Sequence, residues 1–414
     1  MSEANIEPIK PSAAAPRLDS VDLLRGLVMV IMALDHVRDY FGQQNLQEPM
    51  NLETTTPALF FTRWITHYCA PVFVFLAGTG AFLSGTRGKT TGQLSWFLFS
   101  RGLWLALLDV TIIRYSWMFS FDNHGVGIGV IWAIGWSMVV LSILVWLPTS
   151  AIVVFGVAMI GLHNAFDGYK AADVGSFGWL WAILHSGEPV VKMTADAAWE
   201  VGRRQLDMKN VYFAFFPGYP LIPWMGVVAA GYGFGAMLLL EPRVRKKQLL
   251  GLGLGLTALF VVMRWANVYG DLRPWTEQKR GELYTIFACL NCNKYPPSLD
   301  YLLMTLGPAI AILALCEGTP GVVGRFFITF GRVPLFYYLL HLPLIHAGVR
   351  LLAQFRGCPD AWTANAFTLS DQYRYTLPEV YLIWIAVVLI LFPLCYWFAG
   401  VKRRHRDVWW LSYL

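Results

Sequence analysis

The chain has 414 residues, of which 56% are hydrophobic, 15% aromatic and only 14% charged, and its mean hydropathy is +0.50. Soluble domains carry about 25% charged residues, so this composition excludes a cytosolic enzyme, a disordered scaffold and a nucleic-acid binder. The net charge of +6 falls in short basic clusters, and 18 Trp with 18 Tyr suit the two interfaces of a bilayer.

A bilayer core about 30 Å thick takes roughly 20 apolar residues per helix. Ten runs approach that length: 21–41, 60–83, 94–115, 125–147, 150–166, 211–240, 248–266, 299–316, 331–353 and 379–400. The expected fold is therefore an all-α, polytopic integral-membrane helical bundle. The fifth run is short, and the sixth contains Pro217, Pro220 and Pro223, which predict a kink or break. Residues 1–20 hold Pro11, Pro16 and acidic side chains but no apolar core, so they read as a tail and not as a cleavable signal peptide. The first helix then serves as the targeting signal. A single transmembrane domain is expected over 21–400, followed by a basic tail over 401–414.

Orientation follows from the basic residues. Lys10 and Arg17, Arg87 and Lys89, Arg243 to Lys247, Arg325, and Lys402 to Arg406 lie in short connections or at the ends. The intervening segments 42–59, 167–210, 267–298 and 354–378 are long and mixed in sign. The positive-inside rule puts the first set, and both termini, in the cytoplasm. The long segments then face outward, where they are bulky enough to recognise something. Residues 176–185 are apolar but too short to span, so they are expected to lie on the outer interface or re-enter. Cys289 and Cys292 form a single CxxC in an outer segment, with Cys358 in another. They read as a structural disulfide or as plain thiols, and no metal is expected.

Ionisable groups within a span are costly unless paired, which makes each a candidate for function. In the first span Asp22 and Arg25 are i,i+3 neighbours. Arg25, Met29, Met32 and His36 share one helical stripe, and Asp39 stands i+3 from His36, close enough to orient its imidazole. The plainer reading makes Asp22–Arg25 a structural pair and has Asp35, Arg38 and Asp39 mark the interface. In the second span Arg63 and His67 are i,i+4, and Pro71 frees the His67 carbonyl from its helical hydrogen bond. His67 serves equally as a packing group or a site group. His341 lies near the middle of the ninth span, so His36, His67 and His341 fall at one depth and are expected to converge. Arg101, Asp109 and Arg114 add buried charge on the third span, Asp109 and Arg114 as a structural pair. Tyr295 and Asp300 precede or open the eighth span, where they touch a polar substrate or serve capping and packing.

The blocks RLDSVDLLRGLVMVIMALDH (17–36), PVFVFLAGTGAFLS (71–84), YPLIPWMGVVAAGYGFG (219–235), KYPPSLDYLLMTLGP (294–308) and FGRVPLFYYLLHLPLIH (330–346) occur in order. Together they resemble the heparan-alpha-glucosaminide N-acetyltransferase catalytic-domain family, a branch of the transmembrane acyltransferases. The resemblance implies a multi-span protein that passes an acyl group, typically acetyl from cytosolic acetyl-CoA, to an amine or hydroxyl of a sugar. Asp22 and Arg25–Gly26 match the family's Asp-x-x-Arg-Gly. His36 stands where the lysosomal branch has an active-site asparagine, and His67 where that branch has Asp. Its catalytic histidine lies between the first two helices, yet residues 42–59 hold no histidine. The imidazole is then relocated to His36 or His67, or the chemistry differs.

Acyl transfer needs a base and donors for the developing oxyanion, and histidine is the economical base. His36 or His67 is assigned that role, with Asp35 or Asp39 orienting His36. Arg25, Arg101 and Arg332 are assigned to the phosphates of acetyl-CoA or another acyl-CoA. Asp22, Arg63, Tyr295 and His341 are assigned as substrate-binding or supporting residues. Direct transfer and an acyl-histidine intermediate both remain open. The expected acceptor is a sugar or cell-envelope glycan at the outer face of a bacterial inner membrane, and a homodimer is compatible with the sequence. A transporter of a small polar or anionic solute is the first alternative, disfavoured by the lack of an internal repeat. A haem protein is the second, disfavoured because the histidines cluster at one depth.

Overall fold

A computed structural model describes residues 18–121, 124–194, 196–197, 199–202, 211–318, 320–363, 365–405 and 408–414. Lys10, Arg17 and Arg406 lie outside those residues, as do parts of the tails and of the segment 167–210.

A helix that buries every face belongs at the centre of a bundle. Helix α1 (Asp19–Phe41) is of that kind, with buried residues distributed around its whole circumference. Thr56 accepts from the Leu59 N–H at 3.3 Å and caps α2 (Pro57–Thr66). The chain breaks at His67–Tyr68 and resumes as α3 (Cys69–Gly85). A Thr90–Gln93 capping box starts α4 (Thr91–Leu108). A π-helical turn over Asp109–Ile113 carries it into α5 (Arg114–Met118).

The next segments are β1 (Gly125–Ile128), α6 (Val130–Leu144) and α7 (Thr149–Leu162). Helical turns over Ala171–Ser186 include α8 (Gly178–Trp181). Strands β2 (Val190–Lys192), β3 (Trp199–Val201) and β4 (Phe213–Pro217) follow. The rest is helical: α9 (Leu221–Phe234), α10 (Pro242–Ala266), α11 (Glu282–Leu290), α12 (Leu299–Leu315), α13 (Val322–Arg332), α14 (Pro334–Phe355) and α15 (Leu377–Arg404).

Among the described residues, seven helical segments are long and apolar enough to cross a membrane: Pro57–Gly85, Thr91–Met118, Thr149–Phe166, Leu221–Leu239, Pro242–Ala266, Pro334–Phe355 and Leu377–Arg404. Helices α6 and α12 are apolar but shorter. Helix α1 packs against α3, α13, α14 and α15. Its crossing with α13 brings backbones together: a Cβ on Gly26 would lie 1.8 Å from the Phe327 carbonyl oxygen, and one on Gly331 would lie 1.8 Å from that of Asp22. Small residues at such crossings are how membrane helices gain contact.

Two features differ from the sequence reading. The bundle carries a small sheet in the order β1-β4-β2-β3, with β1 parallel to β4 and β4 antiparallel to β2. Its segments, Gly-Val-Gly-Ile and Phe-Ala-Phe-Phe-Pro among them, are cut short by Gly129 and Pro217. They satisfy their backbone groups by pairing with each other instead of extending a helix. The run 125–147 thus begins as a strand, and α6 starts only at Val130.

The run 211–240 likewise begins as β4 and is broken at its prolines, as expected, before it continues as α9. Pro217 ends the strand, Pro220 precedes α9 and Pro223 sits in its first turn. Backbone N–H groups have no intrahelical partner there, so proline costs little. Residues 176–185 form helical turns that pack against β3 and α9. All six cysteines are free thiols, so Cys289 and Cys292 form no disulfide.

Candidate functional site

The stripe on α1 sets the site's axis. Its C-terminal end, Met32 and His36, lines a cavity of about 1420 Å³, and its N-terminal end, Arg25 and Met29, lines a second of about 300 Å³. Phe73, Val130 and Tyr338 belong to the walls of both. The two spaces therefore share part of their walls, the larger lying toward the α1 C-terminus and the smaller toward its N-terminus.

His36 and His341 meet across this axis, His36 Nδ1 lying 2.8 Å from His341 Nε2 with the rings stacked. His341 Nδ1 lies 2.7 Å from the Tyr338 carbonyl and 3.2 Å from that of Tyr337. A carbonyl can only accept, so His341 carries its proton on Nδ1. The neutral ring, wholly buried, then offers a lone pair at Nε2. His36 must donate from Nδ1, which leaves its own Nε2 as an acceptor. The edge of the Trp117 ring, centroid at 4.9 Å, closes the other side of His36.

The convergence of three histidines is corrected to two. His67 is buried, its ring meets Tyr301 edge-on at 5.5 Å, and it does not line either cavity. Its carbonyl is freed as Pro71 requires, and the Tyr301 hydroxyl donates to it at 2.7 Å. His67 occupies the break between α2 and α3, and its backbone joins that break to α12.

The carboxylates are also arranged differently from the sequence expectation. Asp39 accepts from Arg38 at 2.6 Å, and among the described hydrogen bonds it makes none to His36. Arg38, adjacent in sequence and fully charged, is the stronger partner. Asp35 is clasped by Arg38 at 2.8 Å and by Arg63, brought in from α2. The resulting cluster forms one charged wall of the larger cavity.

Asp109 accepts from the Gly129 N–H at 2.8 Å, and Arg114 donates to the Gly125 carbonyl at 2.9 Å. The expected Asp109–Arg114 pair is thus replaced by bonds that anchor β1 to the π-helical turn.

Toward the α1 N-terminus, Arg25 pairs with Asp22 at 3.4 Å and donates to the Gly331 carbonyl at 3.1 Å. Arg25 and Arg101 both line the smaller cavity. Arg332 does not: it pairs with Asp19 at 3.1 Å and approaches Asp22 at 3.9 Å. Tyr295 faces the larger cavity beside Lys294, whose ammonium lies 5.1 Å from its ring centroid. Burial pushes the Tyr295 phenol up, but the Lys294 and Arg63 charges outweigh it and hold the group below its ordinary value. Asp300 does not reach the cavity; it is buried 3.8 Å from Arg264.

Trp117, Lys294 and Arg350 also line the larger cavity and were not singled out in the sequence. A signal existed for Arg350, which is i+4 from His346 and donates to it at 2.9 Å.

The model of the family described as heparan-alpha-glucosaminide N-acetyltransferase, catalytic, matches residues 17–264. No curated protein matches the chain. The matched segment contains Arg25, His36, Arg63 and Arg101, whereas Tyr295 and His341 lie beyond it.

Proposed function

The chain belongs to the heparan-alpha-glucosaminide N-acetyltransferase catalytic family, and on that premise we propose that it is an integral-membrane acyltransferase using cytosolic acetyl-CoA or another acyl-CoA. The acceptor is an amine or hydroxyl of a sugar or cell-envelope glycan at the outer face. In this reading α1, α6 and α12 join the seven longer helical segments as spans, and both termini are cytoplasmic. Residues 21–400 act as one catalytic domain in a bacterial inner membrane.

The observation that carries the reading is the His36–His341 pair, with His36 on the wall of the larger cavity and His341 against Tyr338, which lines both cavities. The arginine-lined cavity takes the coenzyme end, with Arg25 and Arg101 as partners for its phosphates. The acyl arm runs along Met29 and Met32 past Phe73 and Tyr338. The acceptor occupies the larger cavity. His36 Nε2 takes the proton from the attacking amine or hydroxyl as the new bond to the acyl carbon forms. The carbon–sulfur bond breaks, and the His36 imidazolium gives that proton to the leaving thiolate, which departs as the thiol while His36 returns to neutral. His341 holds the His36 tautomer and shares the charge as the imidazolium forms. Arg63 and Lys294 stand on the cavity wall as donors for the developing oxyanion.

The test is the thermal midpoint of the detergent-purified protein with acetyl-CoA, with coenzyme A and with an adenosine phosphate control. A ligand of the folded state raises the midpoint in step with the logarithm of its concentration over Kd. A rise with both coenzyme A species beyond the control is expected, lost in Arg101→Ala. No rise at saturating ligand overturns the acyl-CoA assignment and favours transport of a polar solute through the two cavities.

A further inference from the structure

His163, Asp167 and His185 offer ligand atoms that all lie within 4.8 Å of one another. His163 and Asp167 stand i,i+4 at the end of α7, and His185 arrives from the helical turns that follow α8. His163 and His185 are 3% and 1% exposed. Neither ring nitrogen of His163 has a hydrogen-bond partner, and Asp167 Oδ1 has none either. Buried polar groups left in this state are costly, and one ligand atom from each of the three residues lies close to those of the other two.

The groups around the trio are already ordered. Asn164 donates to Asp167 Oδ2 at 2.7 Å and fixes the carboxylate so that Oδ1 faces the histidines. The Trp181 ring stacks on His185 at 4.8 Å, 4° from parallel. His185 Nε2 lies 3.6 Å from Asp167 Oδ1 and 3.0 Å from the His163 carbonyl. Supporting contacts of this kind hold the ligands of a metal site in place.

We propose that His163, Asp167 and His185 bind a divalent transition-metal ion, zinc foremost, at a site separate from the acyl-transfer cavities. Two imidazoles and one carboxylate are a common donor set for Zn²⁺, with water in the fourth position. Tetrahedral bonds of about 2.1 Å hold ligands about 3.4 Å apart, so the trio closes by about an ångström at its widest on binding. His185 exchanges its Nε2 proton for one on Nδ1, remains a neutral imidazole, and turns the Nε2 lone pair from the His163 carbonyl to the ion.

The site acts as a staple. It ties the end of α7 to the turns at 182–186. Asn164 passes the restraint to α12, because its Oδ1 accepts the Leu299 N–H at 2.9 Å. Ser298, next in the chain, donates to Asp271, which also accepts the Asn293 N–H at 2.7 Å. The loop between Asn293 and Ser298 carries Lys294 and Tyr295 to the larger cavity. The ion thereby steadies one rim of that cavity from outside it.

The test uses the full-length, tag-free protein in detergent, stripped with a chelator and reloaded with Zn²⁺, Co²⁺ or Mg²⁺. The expected result is a single Zn²⁺ per chain by plasma mass spectrometry. Co²⁺ should give tetrahedral d–d bands without thiolate charge transfer, and Zn²⁺ but not Mg²⁺ should raise the thermal midpoint. His163→Gln, Asp167→Asn and His185→Gln should each weaken binding by about 100-fold or more. Cys289→Ser/Cys292→Ser should retain it. A wild-type protein that holds no stoichiometric zinc overturns the proposal without any variant. Thiolate charge-transfer bands, or zinc that survives His185→Gln and leaves with the cysteines, overturn it as well.

Discussion

The 2.8 Å contact between His36 Nδ1 and His341 Nε2 joins two helices that are 305 residues apart in the chain. It fixes which nitrogen of His36 is free, because His341 spends its own N–H on the Tyr338 carbonyl. In the proposed reaction His36 is the base and His341 its positioning residue. His36→Ala should lower acyl transfer by about 10²–10⁴-fold. His341→Ala should act through the same step, so the double variant should be little worse than His36→Ala alone. Additive losses would place the two histidines in separate roles. His341→Gln, whose amide can donate to a carbonyl but does not titrate, should change the pH profile of kcat more than KM.

Phe73 and Tyr338 line both cavities. A bulkier side chain there should separate donor from acceptor without touching the arginines that hold the coenzyme. Phe73→Trp is expected to leave the acetyl-CoA midpoint shift within twofold of wild type in apparent Kd while transfer falls by about 100-fold, the cost of a misplacement near 1 Å. A parallel loss of coenzyme A affinity would show that the coenzyme itself, and not only the acyl arm, packs against Phe73.

The α1 stripe was legible because helical periodicity places Arg25, Met29, Met32 and His36 on one line whatever surrounds them. The freed His67 carbonyl was legible for a similar reason: the effect of Pro71 is covalent and local. Nothing local names the partner that satisfies it, and Tyr301 lies 234 residues away. Asp39 was misassigned because i+3 spacing makes His36 reachable but does not rank it against an adjacent guanidinium. The sheet was missed because its strands are three to five residues long and drawn from four separated segments. Each is too short for an alternating pattern to stand out.

Gly26 and Gly331 allow α1 and α13 to cross at backbone distance, and the Gly331 carbonyl holds Arg25. Gly26→Ala puts a methyl group 1.8 Å from the Phe327 carbonyl oxygen, a contact that backbone must move to relieve. The expected loss is about 1–3 kcal/mol of stability. A weaker acetyl-CoA shift should accompany it as Arg25 loses its anchor. Gly255→Ala, where an added Cβ meets nothing within 4 Å, should instead be neutral or stabilising by up to about 1 kcal/mol. Thermal melts of the two variants in one detergent check the contrast, and equal melts would mean that α1 and α13 can part at no cost.

Tyr301 and Tyr337 are both completely buried, yet their hydroxyls are placed differently. The Tyr301 hydroxyl donates to the His67 carbonyl, which Pro71 deprives of any donor from the helix. Among the described residues the Tyr337 hydroxyl has no partner. Removing the first oxygen strands a buried acceptor and should cost about 1–3 kcal/mol, whereas removing the second relieves an unpaired donor. Tyr301→Phe should therefore lower the thermal midpoint, and Tyr337→Phe should leave it unchanged or raise it, although both delete the same atom. If Tyr301→Phe were silent, the break at His67 would be closed by the α2–α3 backbone itself, and α12 would have no part in holding that corner of the site.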